Sequence, residues 1–246
     1  MIADLSIPIR FNGPQPNAFG VDSATSTSIG DTRDGSSVNF EQYTFIPHCN
    51  GTHTECVGHI TDERISVLDC LQDSFVVSVL VSVEPFRIGD DLVIGQAKLE
   101  NAGVQPPATA GGTDTLPSAL VVRTLPNDES KLTRRYDLDN IPPYFSAEAI
   151  EYIVECGFKH LLVDLPSIDR LDDPTLPAHR AFWNVEMGSR EVDANSRVNS
   201  TITELIYVPN EVADGEYLLN IQIAPFVSDC SPSRPILLDR VLDRFF

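Results

Sequence analysis

Apolar residues in this chain come mostly as short β-branched runs, not as long helical stripes. The longest is "SFVVSVLVSVEPF" (74–86), in which Val and Leu recur at nearly every step. Such a run fits a strand buried on both faces. "SALVVRTL" (118–125), "FKHLLVDL" (158–165), "EYLLNIQIAPF" (216–226) and "RPILLDRVL" (234–242) read as strands of the same kind. "EQYTFIPH" (41–48) alternates polar and apolar positions more clearly, as a strand does.

One segment, "FSAEAIEYIVECG", changes period. Ala149, Ile150, Ile153 and Val154 form an apolar stripe at helical spacing. Ser146 stands where its hydroxyl can accept an unpaired N–H of the first turn. Glu148 and Glu151 suit the positive end of the helix dipole. Gly157 can take the left-handed position that ends a helix. A strand follows at once, so the fold class is α/β. "TDERISVLDCL" (61–71) is a second, weaker helix pattern.

At 246 residues the chain can bury a sizeable core without staples, and 42% of it is hydrophobic. We find no internal repeat, and "VQPPATAGGTDTLPS" (104–118) reads as a surface loop within one domain spanning 1–246. The formal charge is −19, with 36 acidic against 17 basic residues. That excludes a nucleic-acid surface, which needs basic groups to replace counterions, and docking on anionic lipid. The five cysteines are odd in number and irregularly spaced, which fits reduced thiols in a cytoplasmic protein. "MIADLSIPIR" lacks the basic start of a signal peptide, and no apolar run is long enough to cross a bilayer.

Histidine changes the picture. Three of the five histidines lie within "IPHCNGTHTECVGHI", at His48, His53 and His59. Side chains alternate faces along a strand, so His53, Glu55 and His59 share one face if this stretch is extended. Two imidazoles and a carboxylate on one face ligate a transition metal, or supply ligands and a base. His48 has the opposite parity. A β-bulge at Asn50-Gly51 would absorb one residue and return it to the shared face; the alternative is a simple turn. His160 reads as the start of a strand. His179 follows "LPSIDRLDDPTLPA", a polar loop of the kind that carries functional residues.

These segments resemble the cyclase family of metal-dependent hydrolases, which includes kynurenine formamidases and isatin hydrolases. The resemblance rests on "GTH" with an acid one residue on and a His four beyond. "DLSIPI" (4–9), "LLVDLPSID" (161–169) with His179 after it, "ITELIYVPNE" (202–211) and "SPSRP" (231–235) follow in the family's order. Four residues separate His48 from His53 where the family usually has three. Glu55 stands at the usual Asp, and Cys56-Val57-Gly58 replaces an Ala-Pro-Ser-like triplet. The chain therefore resembles a divergent subgroup.

The resemblance implies a swivelling β/β/α fold, a mixed sheet with few helices. It implies Zn²⁺ or Mn²⁺, as one or two ions, held by His48, His53, Glu55, His179 and Glu204, with His59 as the catalytic base. Cys49 and Cys56 are then packing residues. The implied reaction is hydrolysis of a C–N amide bond in an aryl formamide or cyclic amide. Phe19, Phe182 and Trp183 are candidates for an apolar wall against the substrate. Competing readings are a metal-dependent lyase or cyclase on a small carbonyl compound, and a non-catalytic metal or small-molecule binding protein. The expected partners are a small-molecule substrate and further copies of the chain, in a homodimer or larger oligomer.

Overall fold

The computed structural model describes residues 1–106 and 116–240. Most of the loop predicted over 104–118, and the end of the strand predicted over 234–242, lie outside the described residues.

The main sheet has nine strands among the described residues. They are β1 (Ala3–Asp4), β2 (His53–Glu55), β3 (Phe75–Val83), β4 (Ala119–Thr124), β5 (His160–Val163), β6 (Thr201–Glu204), β7 (Gly215–Asn220), β8 (Cys230–Pro232) and β9 (Ile236–Leu238). Their order across the sheet is β1-β9-β7-β3-β4-β5-β6-β2-β8. The central four, β3-β4-β5-β6, run parallel. Antiparallel strands flank them on both sides.

The centre explains why the apolar runs are nearly continuous. Leu120 and Val122 of β4 pack on one face with Leu161 and Val163 of β5. Ala119, Val121 and Leu162 pack on the other, with Leu5, Leu80 and Leu219. Both faces are dry, so both parities must be apolar.

The helix Ala147–Glu155 covers the first face. Ser146 caps it by accepting from the Ala149 N–H at 3.2 Å, and Gly157 follows with φ 85°. The helices Gln96–Asn101 and Pro177–Trp183 join it there through Leu99, Phe182 and Trp183.

Two predicted elements differ. The helix expected over 61–71 shrinks to Val67–Cys70, capped by Ser66. The preceding residues turn instead, with the Asp62 N–H donating to the Arg190 carbonyl. The alternating strand exists as Phe40–Thr44, but all five residues are exposed. It pairs with Thr25–Gly30 in a separate hairpin, so its alternation reflects pairing and not burial.

Candidate metal-binding and catalytic site

The site forms where β2 and β6 lie side by side. Their antiparallel register sets Glu204 opposite His53 and Ile202 opposite Glu55. The shared face predicted for His53 and Glu55 is realised by this pairing. His53 is wholly buried, and its Nε2 lies 3.5 Å from Glu204 Oε2. Its Nδ1 faces the Gly51 carbonyl at 3.0 Å. Glu204 is held in turn, accepting from the Ile168 N–H at 2.9 Å through Oε1.

His48 and His59 reach the same place by other means. The bulge expected at Asn50-Gly51 is absent. His48 sits on a helical turn, Pro47–Asn50, that Asn50 braces by accepting the Ile46 N–H at 2.8 Å. Gly51 is extended, and a Cβ there would sit 2.8 Å from Ile9 Cγ1. Glycine is needed for close approach, not for a left-handed bend. His59 is not on the extended strand either. The tight turn Val57–His59 swings it back over Glu55, with Nε2 3.7 Å from Oε2.

His179 opens the helix Pro177–Trp183, and Asp169 fixes it. The carboxylate accepts the Ala178 N–H at 2.7 Å, the His179 N–H at 3.0 Å and His179 Nδ1 at 2.6 Å. It thus satisfies two unpaired N–H groups of the helix start and orients the ring. His179 Nε2 then meets Glu55 Oε1 at 3.1 Å. Phe182 and Trp183, predicted as a substrate wall, are instead core residues, both fully buried. Trp183 backs the His179 ring at 5.5 Å and donates Nε1–H to the Ser200 carbonyl. Residues 179, 182 and 183 share one face of this short helix, and one turn beyond His179 that face is packed in the core.

Asp229 was not anticipated. Its Oδ2 lies 3.1 Å from His48 Nε2 and 3.3 Å from His59 Nδ1. Residue 229 directly precedes β8, whose register sets Cys230 opposite Glu55. The only sequence signal was an acid just before "CSPSRP"; nothing in it said that this segment lies beside β2. Two aspartates thus stand behind two imidazoles, Asp169 behind His179 and Asp229 behind His59, and both rings present Nε2 to Glu55.

Charge follows from this crowding. Burial alone would raise the Glu55 pKa, but His59, His179 and His48 hold it far below the carboxylate range. His48 and His59 hold Asp229 low as well. Burial opposes charging of His179, yet Asp169 and Glu55 keep its pKa well above the usual imidazole value. Burial likewise opposes a charged His53, and Glu204 outweighs it. The centre of the site therefore favours positive charge, for which protons and a metal ion would compete. His160, the fifth histidine, starts β5 as predicted; burial lowers its pKa to about 4, and its Nδ1 pairs with Thr201 Oγ1.

The residues present suit a metal ion. His48 Nε2, His53 Nε2 and Glu55 Oε2 are buried and make no well-aligned hydrogen bond, although His48 Nε2 stands beside Asp229 and His53 Nε2 beside Glu204. Unsatisfied buried polar atoms cost about 1–3 kcal/mol each, so three in one place call for a shared partner. Three overlapping donor sets converge there: His53, Glu55 and Glu204; Glu55, His59 and His179; His48, His59 and Asp229, with the atoms of each set within 4.8 Å of one another. Imidazole and carboxylate are donors that suit Zn²⁺ and Mn²⁺. No cysteine joins these sets among the described residues, and all five thiols are free.

A cavity of about 360 Å³ opens onto the cluster. His48, Glu55, His59, His179 and Glu204 form its floor. Phe19, Ile46, Leu171 and Leu176 supply apolar walls. Phe19 is thus the one predicted wall aromatic that reaches the cavity.

The comparisons with known proteins agree with this architecture. The chain is 28% identical over 205 residues to a Bacillus cereus protein named kynurenine formamidase, covering 82% of this chain and 80% of that one. Its fold matches a solved structure described as a potential metal-dependent hydrolase with cyclase activity, with TM-score 0.67, 16% identity and 97% of each chain covered. It also matches an isatin hydrolase bound to the product analogue thioisatinate, with TM-score 0.64, 15% identity, and 96% of this chain and 92% of that one covered. The α/β class with a mixed sheet and few helices is therefore the fold of this group. Residues 3–170 match the family described as "Putative cyclase", and the chain belongs to this Cyclase family.

Proposed function

We propose that this chain hydrolyses a C–N amide bond in a small aryl formamide or cyclic amide. In this reading His48, His53, Glu55, His179 and Glu204 hold Zn²⁺ or Mn²⁺, and His59 carries the proton. The observation that carries the reading is the set of buried donor atoms without well-aligned hydrogen bonds, His48 and Glu55 at the floor of the cavity and His53 beneath it. The kynurenine formamidase relatives and the isatin hydrolase fold match support it.

When bound, such a cation supplies Lewis-acid activation of water and of the amide carbonyl. The protein does the rest. His53 commits Nδ1 to the Gly51 carbonyl, and His179 commits Nδ1 to Asp169, so each offers Nε2 to the centre. His59 is the least buried of these rings, with its side chain 32% exposed. It can take a proton from water at the cavity floor and return it to the leaving nitrogen. Phe19 and Ile46 offer flat apolar surface to an aromatic ring.

No helix of the described residues is long and apolar enough to cross a membrane. We place the protein in the cytoplasm, as one domain over 1–246. We also propose that it works as a homodimer or larger assembly. The hairpin Thr25–Gly30/Phe40–Thr44 supports this, since it exposes Ile29, Phe40 and Tyr43 although Phe11 and Asn12 tie it to the rest of the fold.

Protein purified without chelators should contain metal. Chelation should lower the melting temperature, and Zn²⁺ or Mn²⁺ should restore it. A ligand at 100 times its Kd adds about 2.7 kcal/mol to stability. An unchanged melting curve with no metal present would remove the metal-site reading. Bound metal without turnover across an amide panel would favour a binding protein. Turnover that frees no amino group would favour a lyase or cyclase.

A further inference from the structure

Arg170 is the only lysine or arginine among the described residues that line the cavity. Each of its three nitrogens donates to a carboxylate. Nε donates to Asp91 Oδ2 at 3.0 Å, Nη2 to Asp91 Oδ1 at 3.3 Å, and Nη1 to Asp172. Tyr144 adds an O–H bond to Asp91 at 2.9 Å, which fixes that carboxylate in place. A bidentate pair of this kind is among the stronger charge-assisted contacts. Two carboxylates therefore answer one guanidinium, and no free positive charge remains on the wall.

The floor leans the same way. Glu55, Glu204 and Asp229 bring three carboxylates to the cluster. A single divalent cation there would balance only two of them. The remaining walls carry no charge: Ser167 is polar, and Phe19, Ile46, Leu171 and Leu176 are apolar. The whole chain carries −19, so its field also repels approaching anions. Away from the floor, a free carboxylate on a substrate would lose water between these walls and find no counter-ion, which is costly.

We propose that the site takes aryl or cyclic amides that are uncharged, and turns away amides that bear a free carboxylate. The proposal rests on the amide-hydrolase reading above. It makes Arg170, locked by Asp91 and Asp172, the residue that withholds recognition of anionic substrates.

A matched pair of probes tests it on the metal-loaded protein near neutral pH. 4-Methylformanilide is neutral, and 4-formamidobenzoate differs by a carboxylate at the same ring position. The neutral probe should have a kcat/KM at least about tenfold higher, which corresponds to 1.4 kcal/mol, with the difference mainly in KM. Asp91→Asn/Asp172→Asn, which frees Arg170, should narrow that gap by raising kcat/KM for the carboxylate and not for the neutral probe. Asp172→Asn alone, at an exposed position, should narrow it in the same direction if the double variant does not fold. Equal kcat/KM for the two probes in the wild type, or a preference for the carboxylate, overturns the proposal.

If neither probe is turned over, the hydrolase reading fails and calorimetric binding to the metal-loaded protein measures the selectivity. Tighter binding of 4-methylformanilide then still upholds it. Equal affinities, tighter binding of 4-formamidobenzoate, or no binding of 4-methylformanilide sinks it.

Discussion

His53→Ala should lose metal and activity together, whereas His59→Ala should keep metal and lose roughly 10²–10⁴-fold in kcat, the usual contribution of a general acid–base group. The two rings differ in surroundings, not in chemistry. His53 is wholly buried, its Nδ1 is tied to the Gly51 carbonyl, and its Nε2 has no hydrogen-bond partner beside Glu204. A ring so placed offers its lone pair to a cation and cannot exchange protons freely with substrate. His59 stands at the cavity, with Asp229 behind Nδ1 and Nε2 directed at Glu55. That is the arrangement of a proton carrier with a carboxylate partner. Metal content by elemental analysis and kcat on both variants check the assignment. The melting temperature of each chelated variant, set against chelated wild type, separates lost ligation from lost folding. Metal retained in His53→Ala and lost in His59→Ala would exchange the two roles.

Local pattern made some of this site legible and hid the rest. His53 and Glu55 were readable because strand parity is a local rule, and β2 obeys it. Parity also gathered His59 and, through a bulge, His48, but the chain uses a tight turn and a helical turn to deliver them. Those turns depend on Gly51 clearing Ile9 and Gly58 clearing the Ile65 carbonyl, where a Cβ would come within 2.3 Å. The first joins distant parts of the chain and the second closes a short loop, and a one-dimensional hydrophobic pattern carries neither. Asp229 was missed for the same reason, because only the pairing of β8 with β2 sets it beside His48 and His59. Phe182 and Trp183 were placed wrongly because an aromatic pair looks alike in a wall and in a core. What decides is position along one shared helical face: His179 meets the site near the helix start, and Phe182 and Trp183 follow one turn on, inside the core. The central strands were the most legible elements, since burial on both faces leaves an apolar run that few other structures produce.

Asp169→Ala should be the most destabilising single change near the site, and Asp169→Asn should separate its two tasks. The carboxylate is 2% exposed and accepts three hydrogen bonds, from the Ala178 and His179 N–H groups and from His179 Nδ1. Alanine leaves all three donors unsatisfied at a buried helix start. At about 1–3 kcal/mol for each such group, a loss of about 3 kcal/mol or more is expected. The His179 ring also loses its anchor, and removing the partner of a ligating imidazole typically costs about 10–100-fold in metal affinity. Asparagine keeps one oxygen. Placed at the Oδ2 position it still accepts both His179 bonds, so the ring stays oriented, while the amide NH₂ faces the Ala178 N–H. One donor is then unsatisfied, for about 1–3 kcal/mol, and the weaker neutral acceptor should lower metal affinity by only about tenfold. The expected order in both stability and affinity is wild type, Asn, Ala. Denaturant unfolding of the metal-free proteins reads the first, and metal titration reads the second. Equal destabilisation by both substitutions would show that Asp169 acts through its charge alone. Unchanged metal affinity in the alanine variant would show that His179 needs no anchor.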